Sequence, residues 1–147
     1  MTDKRDRDQL RRKHQMVWDA LRELGIERVL VEFSGSGDSG QIDDCVPESS
    51  HGHAVFATKT LTVDTRQSSI LLRDLMIELS DEILQNDEIP DWYSNDGGYG
   101  VLEWIVAHTD KEGTHHTDQI AVTVNVALVD YATTVLEFDA LGNRVGG

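Results

Sequence analysis

The chain has 147 residues but only one cysteine (Cys45), two prolines (Pro47 and Pro90) and 6% aromatic residues. A single cysteine cannot close an internal disulfide. Without a Cys-x-x-Cys pair, neither a cysteine-based zinc site nor a dithiol redox centre is expected. Two prolines leave no stiff linker between domains. No apolar run approaches the roughly 20 residues of a membrane span. Residues 1–6 also lack the apolar stretch of a secretory signal, so a cytoplasmic protein without a membrane partner is expected.

Positive charge is the other scarcity. Thirteen Lys and Arg stand against 27 Asp and Glu, for a net charge of −14. Eight of the basic residues and six of the acids fall within residues 1–28. The rest of the chain therefore carries five basic residues against 21 acids, a balance of −16. A field of that sign repels phosphate backbones and anionic lipid, so direct nucleic-acid binding by the acidic body is not expected. It suits solubility or a basic protein partner. The basic N-terminal stretch Lys4–Lys13 is interleaved with Asp6 and Asp8 and reads as a solvated, ion-paired helix face. It could also dock on an acidic surface, including this chain's own body in a homo-oligomer.

The length fits one domain over residues 1–147, with 1–8 and 141–147 expected to be flexible. Leu10, His14, Val17, Leu21 and Leu24 recur every three or four residues, which predicts a helix over 7–24 stopped by Gly25. On that face His14 reads as a histidine at the edge of the core. Residues 28–34 alternate as a strand, and 41–46 form a short second one. Residues 47–53 read as loop, and the Val- and Thr-rich stretch 54–64 as a third strand. A second helix is expected over 68–85, with Leu72, Leu75, Met76, Leu79 and Ile83 as its buried stripe. Three more strands follow at 101–108, 119–128 and 131–138. Short connections favour antiparallel pairing. The expected fold is α+β: a two-layer sandwich with a mostly antiparallel sheet of about six strands and two helices on one face.

Two loops rich in Gly and Asp stand out. The first contains Gly35-x-Gly37-x-x-Gly40 after a strand. A dinucleotide site needs a helix to open at the last glycine, so that its amide dipoles face the pyrophosphate, whereas Gln41-Ile42-Asp43-Asp44 reads as an acidic strand. Gly37-Asp38-Ser39-Gly40 also matches the string around a trypsin-like nucleophile, but no partnered histidine and aspartate or two-barrel length accompanies it. In the second loop, Asp91–Gly100, a calcium-hand alignment would put Trp92 at the first ligand position, where an oxygen is required. Asp38, Asp43, Asp44, Asn95 and Asp96 still offer hard oxygen ligands for a non-standard Ca²⁺ or Mg²⁺ site. Equally, Asn, Asp and Gly are what tight turns demand. The pairs His51/His53 and His115/His116 fall in expected loops and read as solvated.

The run Phe33-Ser34-Gly35-Ser36-Gly37-Asp38-Ser39-Gly40-Gln41-Ile42 and the later run Trp92-Tyr93-Ser94-Asn95-Asp96-Gly97-Gly98-Tyr99-Gly100 together resemble a family of small bacterial, plasmid and phage proteins. That family is described only as a domain of unknown function, with similar Phe-x-Gly-x-Gly-Asp-Ser-Gly-Gln-Ile and Trp-x-x-Asn-Asp-Gly-Ala-Tyr-Gly runs. The resemblance covers about residues 15–138 and excludes the histidine-bearing loops. It implies a bacterial or mobile-element origin and no activity.

Three functional expectations follow. The first is a non-enzymatic acidic interaction protein that binds a basic protein partner, in a bacterial defence or mobile-element setting. Its loop surface would comprise Asp38, Ser39, Gln41, Trp92, Asn95, Asp96 and Tyr99, and it needs no cofactor. The second is a divalent-cation module or metal-dependent enzyme built on the two loops. The third is a structural or assembly subunit. The second requires the two loops to meet in space.

Overall fold

The stripe Leu10, His14, Val17, Leu21, Leu24 does form the inner face of a helix, α1 (Lys4–Leu24). It ends as the glycine predicts. Gly25 takes φ +72°, its N–H bonds to Arg22 O at 3.1 Å, and Ile26 N–H reaches Leu21 O at 2.9 Å. These two bonds satisfy carbonyls of the last turn, and the buried Ile26 closes over Leu21.

The computed structural model describes residues 4–36, 39–48, 53–62, 69–85, 89, 97–126 and 132–145. After α1 come β1 (Arg28–Ser36), β2 (Ser39–Pro47), α2 (His53–Thr58), β3 (Thr60–Thr62), β4 (Ser69–Leu71) and α3 (Leu72–Leu84). Then follow β5 (Gly98–Ile105), β6 (His108–Thr109), β7 (His115–His116), β8 (Gln119–Val126), β9 (Ala132–Asp139) and β10 (Arg144–Val145). The main sheet has six strands in the order β10-β9-β8-β5-β1-β2, and every pairing is antiparallel. Two small two-stranded sheets, β3-β4 and β6-β7, stand outside it. No described helix is long and apolar enough to cross a membrane.

The fold is the α+β sandwich expected from the sequence, but its parts differ in one region. Among the described residues, the stretch expected as a strand over 54–64 supplies none to the main sheet. His53–Thr58 is helical and Thr60–Thr62 is extended, paired with Ser69–Leu71 in a separate two-stranded sheet. The second expected helix accordingly starts at Leu72 rather than 68. Local β propensity gives way to one anchor: Phe56 is buried in the core while Val55 beside it stays 48% exposed, a single inward residue per helical turn rather than alternation. The sheet's sixth strand is instead β10, within the stretch 141–147 expected to be flexible, and α1 begins within 1–8.

The core lies on one side of the sheet. Val29, Val31, Phe33, Leu102, Trp104, Ile120, Val122, Val124, Leu136 and Phe138 point toward the helices and meet Val17, Trp18 and Leu21 of α1, Phe56 of α2, and Leu72, Leu75, Met76 and Leu79 of α3. Trp104 sits at the centre. Its Nε1–H donates to Ser80 Oγ on α3 at 2.9 Å, and its ring lies 5.1 Å from Trp18 and 5.6 Å from His14, centroid to centroid. Trp18 Nε1–H in turn donates to Ala140 O at 2.7 Å, tying α1 to the β9–β10 turn. Cys45 is buried here too, and burial pushes its thiol up to about 12, so it acts as a small apolar residue.

Two packing details generate predictions. Gly100 leaves no room for a side chain: a Cβ there would collide with the Thr123 carbonyl oxygen and sit 2.6 Å from Phe33 Cζ. The Phe33 ring occupies the space above its cross-strand partner Gly100. Gly100→Ala should lower the urea midpoint by an amount equivalent to about 2–3 kcal/mol; an unchanged midpoint would refute this packing. The second detail is His14, which is 2% exposed and whose Nδ1 has no hydrogen-bond partner among the described residues. Burial pushes its pKa down from 6.5 to about 4, against the opposing pull of Asp139 and the Ala140 carbonyl. The unfolded chain therefore takes up this proton before the folded one does. Above pH 6.5 both states are neutral there and nothing is lost; as the pH falls toward 4, stability declines. The loss totals roughly 3 kcal/mol. His14→Phe should flatten the slope of stability against pH over that window relative to wild type, and parallel slopes would show that His14 does not titrate as stated.

Candidate functional site

The sheet's other face carries no described element, and the register sets its side chains out in rows. Nearest the β1–β2 turn, Gln41, Ser34, Tyr99 and Asn125 stand abreast on β2, β1, β5 and β8. The next row holds Asp44, Glu32, Val101, Thr123 and Val135, and the one beyond it Val46, Leu30, Glu103, Ala121 and Glu137. Tyr99 is 52% exposed and Val135 62%, more than any other large apolar side chain described.

A β-bulge shapes one corner of this face. The pairing of β1 with β2 shifts between Glu32 and Phe33, leaving Asp43 as the extra residue. The two consecutive acids at the bulge have different partners. Asp43 joins the helix-free face, where Oδ2 accepts from Ser34 Oγ at 2.6 Å and Oδ1 from Gln41 Nε2 at 2.9 Å. Asp44 accepts from the Cys45 N–H and lies 3.8 Å from Arg73 of α3. Beside Asp43 is a shallow depression of about 400 Å³, bordered by Glu32, Ser34, Tyr99, Val101 and Asn125.

Of the residues expected to form the loop surface, Gln41 and Tyr99 stand in the row at this end of the sheet. Ser39 opens β2 opposite Ser36. Asp38, Trp92, Asn95 and Asp96 lie outside the described residues. The stems of the two Gly/Asp loops are adjacent: Gly35 pairs with Gly40 on one side and with Gly98 on the other. Of the expected cation ligands, Asp43 and Asp44 lie at the bulge, Asp43 bonded to Ser34 and Gln41 and Asp44 near Arg73. Among the described residues, no group of three or more His, Cys, Asp or Glu is placed to hold a metal ion.

Sequence reasoning passed over Glu32, Ser34, Val101 and Asn125. Alternation puts Glu32 and Ser34 on one face of β1, but only the cross-strand register brings Tyr99 and Asn125 beside them. It also passed over His108. That residue pairs with His116 across β6–β7, with rings stacked at 4.7 Å. His116 Nε2 lies 2.9 Å from Asp110 Oδ2, and this contact, with the Thr114 and Glu112 amides, holds the Asp110 carboxyl below the usual carboxylate range. His115 and His116 are thus strand residues of a small hairpin rather than loop residues.

Several of the described cations pair with the chain's own acids. Lys13 pairs with Glu78, Arg28 with Glu48 and Glu103, and Lys59 with Glu23. Arg22 bridges Asp19 and Asp118, and the hydrogen bond to Asp118 chiefly raises its pKa. None of these pairs reaches Glu32 or Asp43.

Comparison with known proteins adds a family and no activity. No curated protein and no solved structure matches the chain. The model of a family of unknown function, DUF6878, matches residues 10–127, from α1 to just beyond β8. The chain belongs to this family.

Proposed function

We propose that this chain is a non-enzymatic binding module whose helix-free sheet face receives a basic protein surface. The observation that carries the reading is the composition of that face: Glu32, Asp43, Glu103 and Glu137 surround the exposed Tyr99 and Val135, on a body whose residues 29–147 balance at −16. Its one described cation is Arg28 at the rim, already paired with Glu103 and Glu48. Exposed aromatic and aliphatic side chains supply the anchors an interface needs, and the surrounding carboxylates steer a positive partner. A defence or mobile-element role is an extension of the same reading.

The immobilised chain, incubated with a lysate of its native host, should retain a basic protein. That protein should elute as salt rises from about 0.1 to 0.5 M, because screening shortens the reach of surface charge. A Glu32→Lys, Glu137→Lys double variant should retain little of it. Capture that ignores salt, or that survives the charge reversal, would sink this reading.

The pairing of Gly35 with Gly98 supports a second reading, in which the two Gly/Asp loops share an oxygen-liganded cation. An ion bound only by the folded state, present at about 100 times its dissociation constant, stabilises by roughly 2.7 kcal/mol. Millimolar Ca²⁺, Mg²⁺ or Mn²⁺ should then raise the Tm by several degrees, and the gain should vanish in Asp43→Asn. No change with any of the three ions removes this alternative.

A further inference from the structure

The depression on the helix-free face has a definite chemistry. Two carboxylates, Glu32 and Asp43, border it together with the phenol ring of Tyr99, the aliphatic Val101 and the polar tips of Ser34 and Asn125. Asp43 is held in place by a donor on each oxygen, Ser34 Oγ on one and Gln41 Nε2 on the other. Each carboxylate oxygen can accept a further hydrogen bond. Glu32 is exposed and takes part in no ion pair among the described residues. Cross-strand neighbours of like charge weaken a sheet unless a cation comes between them, and none of the described ion pairs brings a Lys or Arg to Glu32 or Asp43.

We propose that this depression docks an arginine side chain presented by the basic partner, with the guanidinium against the Asp43 and Glu32 carboxylates and its flat face on the Tyr99 ring. The inference rests on the acidic-face reading above and specifies its contact. Arginine fits better than lysine on two grounds. Its planar fork meets carboxylates two bonds at a time, and its weakly hydrated face stacks on an aromatic ring. It also fits better than a divalent cation, which seeks six or more oxygen ligands, whereas among the described residues two carboxylates border the depression. The volume of about 400 Å³ holds the guanidinium and part of its aliphatic stem, for which Val101 offers apolar surface.

The test is a titration of the ¹⁵N-labelled full chain with the capped peptide acetyl-Gly-Arg-Gly-amide and with its lysine counterpart, at low salt. The arginine peptide should give saturable shifts confined to the amides of Ser34, Tyr99, Gly100, Val101 and Asn125. The lysine peptide should bind about 5-fold more weakly or worse, and Tyr99→Ala or Asp43→Asn should each weaken the arginine peptide by about 5-fold. The spectra of these variants report in the same experiment whether they remain folded, and Glu32→Gln is a third variant should either fail. Equal binding of the two peptides, or shifts scattered over the surface, would overturn the arginine site while leaving diffuse acidic attraction intact. Mg²⁺ or Ca²⁺ producing the same shifts and displacing the peptide would overturn it in favour of an ion. Failure of the acidic-face reading itself would appear separately, as salt-insensitive capture in the lysate experiment.

Discussion

Trp104 is the contact on which the rest of the architecture depends. It stands mid-sheet on β5, with its indole N–H bonded to Ser80 of α3 and its ring against Trp18 and His14 of α1. One side chain thus fixes both long helices to the same face of the same strand. Trp18 extends the tie by donating to the Ala140 carbonyl, which brings the β9–β10 turn down over α1. A buried indole N–H without a partner costs about 1–3 kcal/mol, so both bonds constrain how the layers dock. The match to the family model stops at residue 127, yet Leu136, Phe138 and Ala140 beyond it complete the packing around these two tryptophans.

Docking both helices on one face leaves the other face of the sheet without a described helix, and the proposed binding surface lies there. Along β5 from Tyr99 to Trp104 the two faces alternate: Leu102 and Trp104 enter the core, while Tyr99, Val101 and Glu103 line the opposite surface. Gly100 belongs to the inner series but yields its place to the Phe33 ring, which allows β1 and β5 to stay in register up to Gly35 and Gly98. The close pairing that stabilises this end of the sheet therefore also brings the stems of the two glycine-rich loops together.

Much of this was legible in the sequence, wherever one period dominated. The stripe on α1, the stop at Gly25 and the alternation of 101–105 and 119–126 each point to a single structure. Residues 54–64 misled because valine and threonine favour strands, while the decisive fact, the burial of Phe56 under α3, is a tertiary one. The candidate site was half legible. Composition singled out Gln41, Asp43 and Tyr99, but Glu32, Ser34 and Asn125 join them only through register, a property of strand pairs rather than of any one segment. His108 was missed for the same reason: its partner His116 lies across a hairpin turn.

The bulge at Asp43 links the fold to the proposed function. In a regular β2 the residue next to Ile42 would pair with Glu32; the extra residue gives that pairing to Asp44 and leaves Asp43 beside Ser34 and Gln41, while Asp44 lies near Arg73. β2 is an edge strand, and a bulge together with the Arg73 Nε–H bond to the Cys45 carbonyl makes that edge a poor template for a further strand. The same irregularity gives Asp43 two hydrogen-bond donors and a fixed direction. A surface carboxylate held in this way loses less freedom when a cation arrives than one on a mobile loop does. An acidic surface can attract many basic proteins; discrimination among them requires carboxylates at set positions beside an aromatic ring, and the bulged corner next to Tyr99 is where this sheet provides them.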